Sequence, residues 1–398
     1  MRVLFLTPEV PFPAESGGAI KTASVLSHLR ERHEVHVLCF RRRELTEAQA
    51  RWCDETGKVE TVPLSRGRNP WNLVRSYLSG LPLSVERNRS RDMARLVSRR
   101  LQEGFDGVFV DSWLMAQYLP ERFPGLALLH EHNAEYMIWE RQAQREANPL
   151  LRALLRLEAG RVRRYEAATL RHFHTVFTVS EADGRALAAL GVDPQRLRVL
   201  PNLPDPELLD RPALSFEATE PVVLYFGTLS WQPNVEGLHF FLREVLPQVR
   251  AHMPEVRFVI AGRDAPSSLR RLAQRTKGVD FVGPVRDAER LYRRARMFVE
   301  ASRSGGGTRL KVLNALASGL PVVTTPLGAE GLEVTPGEHL LLAADAVGIT
   351  AAVQRLMADD GLWRSLSDNG RALIRGRYVA EVAYGALDEV LSGAGAAA

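Results

Sequence analysis

The sequence predicts an α/β protein with two Rossmann-like, doubly wound domains that face a central cleft. Its 398 residues exceed what one hydrophobic core usually supports. Short apolar runs alternate with helical stretches along most of the chain, which favours parallel sheets. The alternation stops at residues 204–221, where prolines and acids indicate a linker. We therefore predict domains at 1–203 and 222–378, separated by that linker, and a separate helical segment at 379–398.

The first half contains seven apolar runs with the length of strands, each typical of a buried parallel strand. They lie at 3–7, 34–40, 59–64, 107–111, 126–129, 175–180 and 197–202. Gly17 and Gly18 stand between the first run and a helical stretch, where they let the backbone approach a ligand closely. A glycine loop there indicates an anion site, although the spacing G-x-G-x-x-G is absent.

The second half repeats the alternation. Its predicted strands lie at 222–226, 256–261, 279–285, 297–303 and 319–325, and the first is followed by a turn at Gly227. Helical stretches near 349–357, 362–375 and 379–391 follow. A glycine-bearing loop after a strand in each half is the reason to expect a ligand between two domains.

The strongest candidate site is the loop with three consecutive glycines, Gly305 to Gly307. Thr308 is the predicted N-cap of a helix over 309–318. Arg309 and Lys311 place positive charge in the first turn, where the helix dipole favours acids, so an anionic ligand such as phosphate is indicated. One helical face carries Lys311, Asn314 and Ser318. The alternative is a glycine turn beside exposed basic residues.

Two histidines follow the strand at 126–129. His130 and His132 point the same way if the strand continues, which raises the question of a metal. Glu131 stands between them and no third ligand has a compelling spacing, so we expect no metal. On spacing alone, a histidine that caps or hydrogen-bonds a loop explains His132 equally well.

Composition excludes several classes of protein. No uncharged apolar run reaches the length of a membrane span, and the first residues enter a strand without the pattern of a secretory signal. The two cysteines exclude a disulfide framework, so we expect a cytoplasmic protein.

Nine arginines and two acids lie within 66–100, mixed with apolar residues. This mixture predicts either contact with an anionic inner membrane face or ordinary solvated helices. We expect no nucleic-acid partner, because no recognised motif accompanies the charge.

Six motifs resemble the GT-B glycosyltransferases of the large retaining family 4. In order they are PFPAESGG, HNAEY, VSEADGRAL, VLPNLPD, FGTLSWQPNVEGLHFF and GGGTRLKVLNALASGLPVVTTPLGAEGL, and the resemblance spans nearly the whole chain. It implies a retaining hexosyltransferase that needs neither metal nor cofactor. The second domain would hold a nucleotide-sugar donor and the first a glycan or lipid-linked acceptor, in cell-surface polysaccharide or glycoconjugate synthesis. It also implies that the terminal helix crosses back to the first domain.

The resemblance also implies roles for single residues. Donor binding falls to Gly17, Gly18, Gly227, Val285, Gly306, Gly307, Thr308 and Asn314, and catalysis to His132, Arg309 and Lys311. His132 would contact the transferred sugar, and Arg309 and Lys311 would neutralise the diphosphate as it leaves. The backbone near Val285 would meet the base, and Asn314 would hold the ribose.

Two departures from the family pattern lie in the second half. Many members have acids where Gly306 and Asn314 stand here, so donor affinity is expected to be weaker. Many also have a basic pair within 227–242, which here contains no lysine or arginine. We predict that Arg309 and Lys311 supply this charge. A degenerate, non-catalytic partner in a polysaccharide assembly complex and a nucleotide-sugar epimerase remain the alternatives.

Overall fold

The computed structural model describes residues 1–14, 16–64, 70–285 and 288–395. The chain forms two compact units, Met1–Pro201 with the C-terminal segment from Tyr384, and Asn202–Ala383. Within the described residues, no helix is both long and apolar enough to cross a bilayer. The prediction of two doubly wound α/β domains is confirmed.

The first unit contains a seven-stranded parallel sheet, and every one of its strands was predicted from an apolar run. The strands are β1 Arg2–Thr7, β2 Glu34–Arg41, β3 Val59–Pro63, β4 Gly107–Val110, β5 Leu126–Glu131, β6 Thr175–Thr178 and β7 Leu197–Val199. The helices are α1 Gly17–Arg32, α2 Glu47–Thr56, α3 Pro70–Ser79, α4 Leu83–Arg87, α5 Arg91–Leu101, α6 Glu135–Arg145, α7 Pro149–Leu170 and α8 Glu181–Ala188. Short 3₁₀ helices lie at Ala116–Tyr118 and Pro194–Arg196.

The second unit contains a six-stranded parallel sheet. Its strands are β8 Val222–Phe226, β9 Arg257–Ala261, β10 Val279–Gly283, β11 Met297–Glu300, β12 Val322–Thr324 and β13 Leu341–Leu342. The helices are α9 Glu207–Asp210, α10 Gln232–Phe240, α11 Leu246–His252, α12 Ser267–Arg275, α13 Glu289–Arg294, α14 Leu310–Ala317, α15 Ala346–Ala358, α16 Asp360–Arg377 and α17 Ala380–Ala383. A 3₁₀ turn lies at Phe216–Ala218 and a π-helical turn at Phe241–Val245. The two-residue strand β13 was not predicted.

Both sheets have the Rossmann strand order. The first runs β3-β2-β1-β4-β5-β6-β7 and the second runs β10-β9-β8-β11-β12-β13. The order therefore reverses between β1 and β4 in the first sheet, and between β8 and β11 in the second. Ligands of such sheets bind at the carboxyl ends of the strands beside this switch point.

The predicted linker at 204–221 has structure of its own and belongs to the second unit. It contains α9 and a 3₁₀ turn, and the guanidinium of Arg371 on α16 donates to the carbonyl oxygens of Leu209 at 2.8 Å and Arg211 at 3.0 Å. Proline-rich composition indicated an irregular path, but these tertiary hydrogen bonds attach that path to α16.

The C-terminal segment enters the first unit at Tyr384. The predicted helical stretch near 379–391 forms two helices, because α17 ends at Ala383 and α18, Gly385–Gly395, starts after Tyr384. The Tyr384 hydroxyl lies 2.8 Å from Ser24 Oγ on α1, and His28 Nε2 lies 2.9 Å from Asp388 Oδ1. These contacts attach α18 to α1.

Candidate functional site

Asp111 is the centre of the polar cluster at the switch point of the first unit. It follows β4 directly and is fully buried. Its Oδ1 accepts from His130 Nδ1 at 2.7 Å and from His132 Nε2 at 3.0 Å, and its Oδ2 accepts from the hydroxyl of Thr22 on α1. One carboxylate therefore orients both histidines predicted from the sequence.

The electrostatics of this cluster favour an ionised Asp111. Burial alone raises the pKa of the Asp111 carboxyl, but the neighbouring imidazoles and their hydrogen bonds outweigh burial and hold that pKa well below its usual value. Burial lowers the pKa of His130 to about 3, so this ring is neutral and donates through Nδ1. With Nε2–H of His132 also donating to Asp111, His132 Nδ1 faces away from the carboxylate.

His132 lines a cavity of about 230 Å³ together with Gly18, Asp111 and Glu135. A Cβ atom on Gly18 would lie 3.8 Å from His132 Nδ1, so the first turn of α1 closely approaches this ring. Gly17 and Gly18 are the first two residues of α1, and Ser16 caps it. The structure thus brings three predicted residues, Gly17, Gly18 and His132, to one place.

Asp111, His130 and His132 have the composition and proximity of a metal site, because one ligand atom from each lies within 4.8 Å of the others. Asp111 is a third ligand that sequence spacing did not show. However, its carboxylate already accepts hydrogen bonds from both histidines and from the hydroxyl of Thr22. A divalent cation would have to displace these hydrogen bonds, so the residues fit a hydrogen-bonded cluster better than a metal centre.

Two carboxylates, the buried Glu166 and the partly exposed Asp183, hold the loop that carries His132. Glu166 on α7 accepts from the backbone N–H groups of Glu135 at 2.9 Å and Tyr136 at 3.0 Å, and Asp183 accepts from that of Ala134 at 3.1 Å. These bonds satisfy donors at the start of α6, which has no side-chain cap of its own. The motif HNAEY is thereby fixed relative to α7 and α8.

In the second unit, the glycine loop differs from the prediction at its junction with α14. Thr308 is not the N-cap: Arg309 occupies that position with a non-helical backbone, and α14 starts at Leu310. Gly305 and Gly307 have φ values of +92° and +79°, which only glycine adopts easily. Sequence propensity favoured threonine as a cap, but the backbone is still non-helical at Arg309, so the loop is one residue longer than predicted.

Arg309 stabilises the glycine loop by hydrogen bonds to its backbone. Its side chain is buried, and its guanidinium donates to the carbonyl oxygens of Gly306 at 2.6 Å, Gly307 at 3.3 Å and Ser304 at 3.2 Å. The prediction placed this charge at the helix tip as a free cation. In the structure it is already engaged with the loop backbone.

Lys311 also contacts other groups of the protein. Its ammonium donates to Tyr225 Oη at 2.8 Å and Asn234 Oδ1 at 2.6 Å, and forms an ion pair with Glu300 Oε2 at 2.5 Å. Glu300 ends β11 and is fully buried. Burial would raise the pKa of Glu300, yet the ammonium of Lys311 lowers it below the usual value. Gly227 belongs to this group, because a Cβ there would lie 3.7 Å from Lys311 Cδ.

Asn314 and Val285 lie apart from this ion pair. Asn314 Oδ1 accepts from the backbone N–H of Asp205 at 3.0 Å. Val285 follows β10, next to residues 286 and 287, which lie outside the described residues.

A cavity of about 340 Å³ in the second unit has no counterpart in the predictions. Its lining includes Val222, Arg257 and Asp280, at the starts of β8, β9 and β10. Since doubly wound sheets bind ligands at the opposite, carboxyl ends of their strands, this cavity is not the candidate site.

Comparisons with known proteins agree with this geometry. Residues 16–203 match the family model for a glycosyl transferase 4-like domain, and residues 220–359 match the model for glycosyl transferases group 1. The chain belongs to the group 1 glycosyltransferases.

The fold of this glycosyltransferase is similar to solved structures over its whole length. Sucrose-phosphate synthase from Thermosynechococcus elongatus gives a TM-score of 0.71 at 19% identity and covers 100% of both chains. HepE of Anabaena, solved in complex with UDP, gives 0.69 at 16% identity and covers 99% of this chain and 100% of its own. The predicted GT-B fold is confirmed. A curated relative, an uncharacterised 44.6 kDa protein in the cps region of Klebsiella pneumoniae, is 22% identical over 87% of this chain and 88% of its own.

Sequence reasoning missed the residues that position the predicted ones in this glycosyltransferase. In the first unit these are Asp111 and Thr22, and in the second Glu300, Tyr225 and Asn234. One signal was available: Asp111 and Glu300 are acids that directly follow apolar residues in the runs GVFVD and MFVE. A charged residue at the carboxyl end of a buried strand is expensive unless it is paired, and here each one is.

Proposed function

We propose that this glycosyltransferase is a retaining, metal-independent hexosyltransferase. It moves a sugar from a nucleoside diphosphate donor to a glycan or lipid-linked acceptor in cell-surface polysaccharide synthesis. The observation that carries the proposal is His132, oriented by a buried carboxylate at the cavity of the first unit. UDP in the HepE structures supports a uridine diphosphate donor, and the relative from a cps region supports the polysaccharide role.

Two of the carboxyl groups that line the cavity, those of Asp111 and Glu135, are poor nucleophiles, which favours same-face attack over a covalent intermediate. Asp111 has both oxygens engaged by hydrogen bonds, and burial raises the pKa of Glu135 to about 7. A carboxyl that keeps its proton near neutrality is a poor nucleophile. We infer that the leaving phosphate accepts the acceptor proton, while His132 binds a hydroxyl of the transferred sugar.

The second unit would stabilise the charge that grows on the leaving diphosphate. Since Arg309 holds carbonyl oxygens of the loop, we infer that it positions backbone N–H groups of Gly306, Gly307 and Thr308 toward the phosphates. Lys311 supplies a charge beside Gly227, although Glu300 offsets it. The proposal further assigns the ribose to Asn314 and the base to the backbone near Val285.

The test uses the full chain with UDP-glucose and the matching diphosphates. We expect UDP to raise the melting temperature, and the transferred sugar to keep its anomeric configuration by NMR of the product. His132→Ala should abolish transfer and retain the UDP shift, whereas the exposed His172→Ala serves as the matched control. Absence of a melting shift with every nucleoside diphosphate would overturn the donor assignment.

Asn314 favours a second candidate function, a non-catalytic partner in a polysaccharide assembly complex. The side chain is neutral and its oxygen already accepts from Asp205. If the protein is a catalytic transferase, Asn314→Glu should tighten nucleotide binding through a charge-assisted hydrogen bond to the ribose. Nucleotide binding no better than that of the parent, together with no transfer, would support the non-catalytic partner.

A further inference from the structure

Exposed apolar side chains are concentrated on two helices of the first unit. Of the fourteen large hydrophobic side chains that are exposed in the described part of the chain, nine lie on α3 and α7. They are Trp71, Leu73, Val74, Tyr77, Leu78, Leu150, Leu151, Leu154 and Leu157. We call this set the two-helix face.

The two helices are neighbours, so the set is one surface. Arg161 on α7 donates to the carbonyl oxygens of Ser76 and Leu81, each at 2.6 Å, and its guanidinium lies 4.4 Å from the ring centroid of Tyr77. Leu157 precedes Arg161 by four residues and Leu154 by seven, which places both on the helix face that meets α3. On α3, residues 71, 74 and 78 likewise share one face.

The charged residues around the two-helix face are almost all basic. Residues 70–79 contain one arginine and no acid, and residues 149–164 contain five arginines and one acid, Glu158. Glu158 is buried, accepts from Arg161 at 2.6 Å and from the backbone N–H of Leu83 at 2.6 Å. Arg75, Arg156 and Arg164 are exposed. Arg163 pairs with Glu140 on α6, whereas Arg75, Arg156 and Arg164 form no ion pair with an acid among the described residues. The solvent side of this surface therefore combines leucines and a tryptophan with net positive charge.

This differs from the prediction, which centred on the charge within 66–100. Arg66 and Arg68 lie outside the described residues. On α5, Arg95 pairs with Asp92, and Arg99 and Arg100 both pair with Glu60. Acids thus offset the positive charge of these arginines on α5. The apolar residues that extend the surface of α3 come instead from α7, more than seventy residues further along the chain.

We propose that the two-helix face docks on a bilayer surface with anionic headgroups. Leucines and Trp71 would enter the boundary between headgroups and acyl chains, while the arginines contact lipid phosphates. A second copy of the chain is a poorer occupant, because a two-fold contact would bring the arginines of one copy against those of the other. Docking would bring the first unit, which contains the His132 cavity, to the membrane that holds a lipid-linked acceptor. Only this last point rests on the proposed function.

The test is flotation of the full chain with vesicles of equal parts phosphatidylglycerol and phosphatidylcholine, and with phosphatidylcholine alone. We expect binding to the anionic vesicles only, weakened by salt. The double variant Leu78→Asp, Leu150→Asp changes side chains that are 84% and 72% exposed, so the fold should be kept while binding falls at least about tenfold. Val347→Asp, at 69% exposure in the second unit, is the matched control and should bind like the parent.

Three results would overturn the proposal. These are no binding of the parent to anionic vesicles, unchanged binding by the double variant, and a parent dimer that the double variant converts to a monomer. The UDP melting shift separates this proposal from the proposed function. Both variants should retain this shift. If the parent binds vesicles but shows no melting shift with any nucleoside diphosphate, the docking surface is supported and the donor assignment fails.

Discussion

Replacing Glu131 with glutamine should flatten the dependence of stability on pH above neutrality. Glu131 is fully buried at the end of β5, and its carboxyl oxygens accept from no side chain among the described residues. Burial and the nearby carboxyl of Glu166 raise its pKa well above the usual value. Burial likewise raises the pKa of Glu166 to about 8. We infer that this pair retains a proton at neutral pH.

The sign and size of the effect follow from these shifts. A carboxyl whose folded pKa is raised binds its proton more tightly in the folded chain. The bound proton therefore contributes fully to folding stability below the unfolded pKa of 4.5. For Glu166, this stability is lost as the pH rises through the folded pKa of about 8. At about 1.4 kcal/mol per pH unit and proton, the proton held by Glu131 and Glu166 accounts for a fall of roughly 3 kcal/mol in the free energy of unfolding between pH 6 and pH 8. Glu135, whose pKa burial raises to about 7, adds to this fall equally in parent and variant. Glutamine at position 131 removes one titrating carboxyl and the like charge that it places beside Glu166. Between pH 6 and pH 8, we therefore expect the free energy of unfolding of the variant to fall by at most about half as much as that of the parent.

Calorimetric unfolding of parent and variant across pH 6 to 9 measures this slope. Glu217→Gln is the control, because a backbone N–H group and the guanidinium of Arg364 lower the pKa of the exposed Glu217 below its usual value, and neither residue titrates in this window. That change should shift stability equally at each pH. If Glu131→Gln keeps the slope of the parent, or if the parent gains stability toward pH 9, the shared buried proton does not exist.

Three further perturbations test the two polar clusters. Asp111→Asn should lower transfer about 10- to 100-fold through loss of its charge-assisted bonds to His132, with UDP binding unchanged in a thermal-shift assay; equal turnover would contradict that role. Gly305→Ala should lower the free energy of unfolding by about 1–3 kcal/mol, because φ is +92° and the new Cβ would lie 3.0 Å from a proline Cγ. Urea titration measures this change, and an unchanged free energy of unfolding would show that the site is not strained. Lys311→Met should cost about 3–5 kcal/mol by leaving Glu300 charged and buried, and adding Glu300→Gln should restore stability but not donor turnover; recovery of both would leave Lys311 with a structural role only.

The sequence by itself determined the secondary structure closely. Strands such as β1 and β4 consist of consecutive buried residues, because a parallel sheet is covered by helices on both faces, so their composition alone identifies them. The predicted end of the helix at 318 lies one residue from the observed end of α14 at Ala317, and Gly319 follows with a φ of +78°, which glycine adopts easily. The glycines at the start of α1 and in the loop before α14 also marked the switch points of both sheets.

Local patterns failed where tertiary contacts compete with propensity. Thr308 has the chemistry of an N-cap, but Arg309 extends the loop by holding three carbonyl oxygens, and the helix starts later. The predicted helical stretch near 379–391 forms two helices that meet where Tyr384 contacts Ser24 on α1. Neither contact has a sequence signal.

Only the tertiary structure decided what each functional side chain touches. Asp111 and His132 are neighbours because β4 and β5 are adjacent and parallel, and Lys311 meets Glu300 because α14 packs beside β11. The apolar stripes of α3 and α7 become one surface through Arg161. Burial patterns depend on neighbouring residues and can be read along the chain, whereas hydrogen bonds and ion pairs between distant segments exist only once the sheet has fixed the order of its strands.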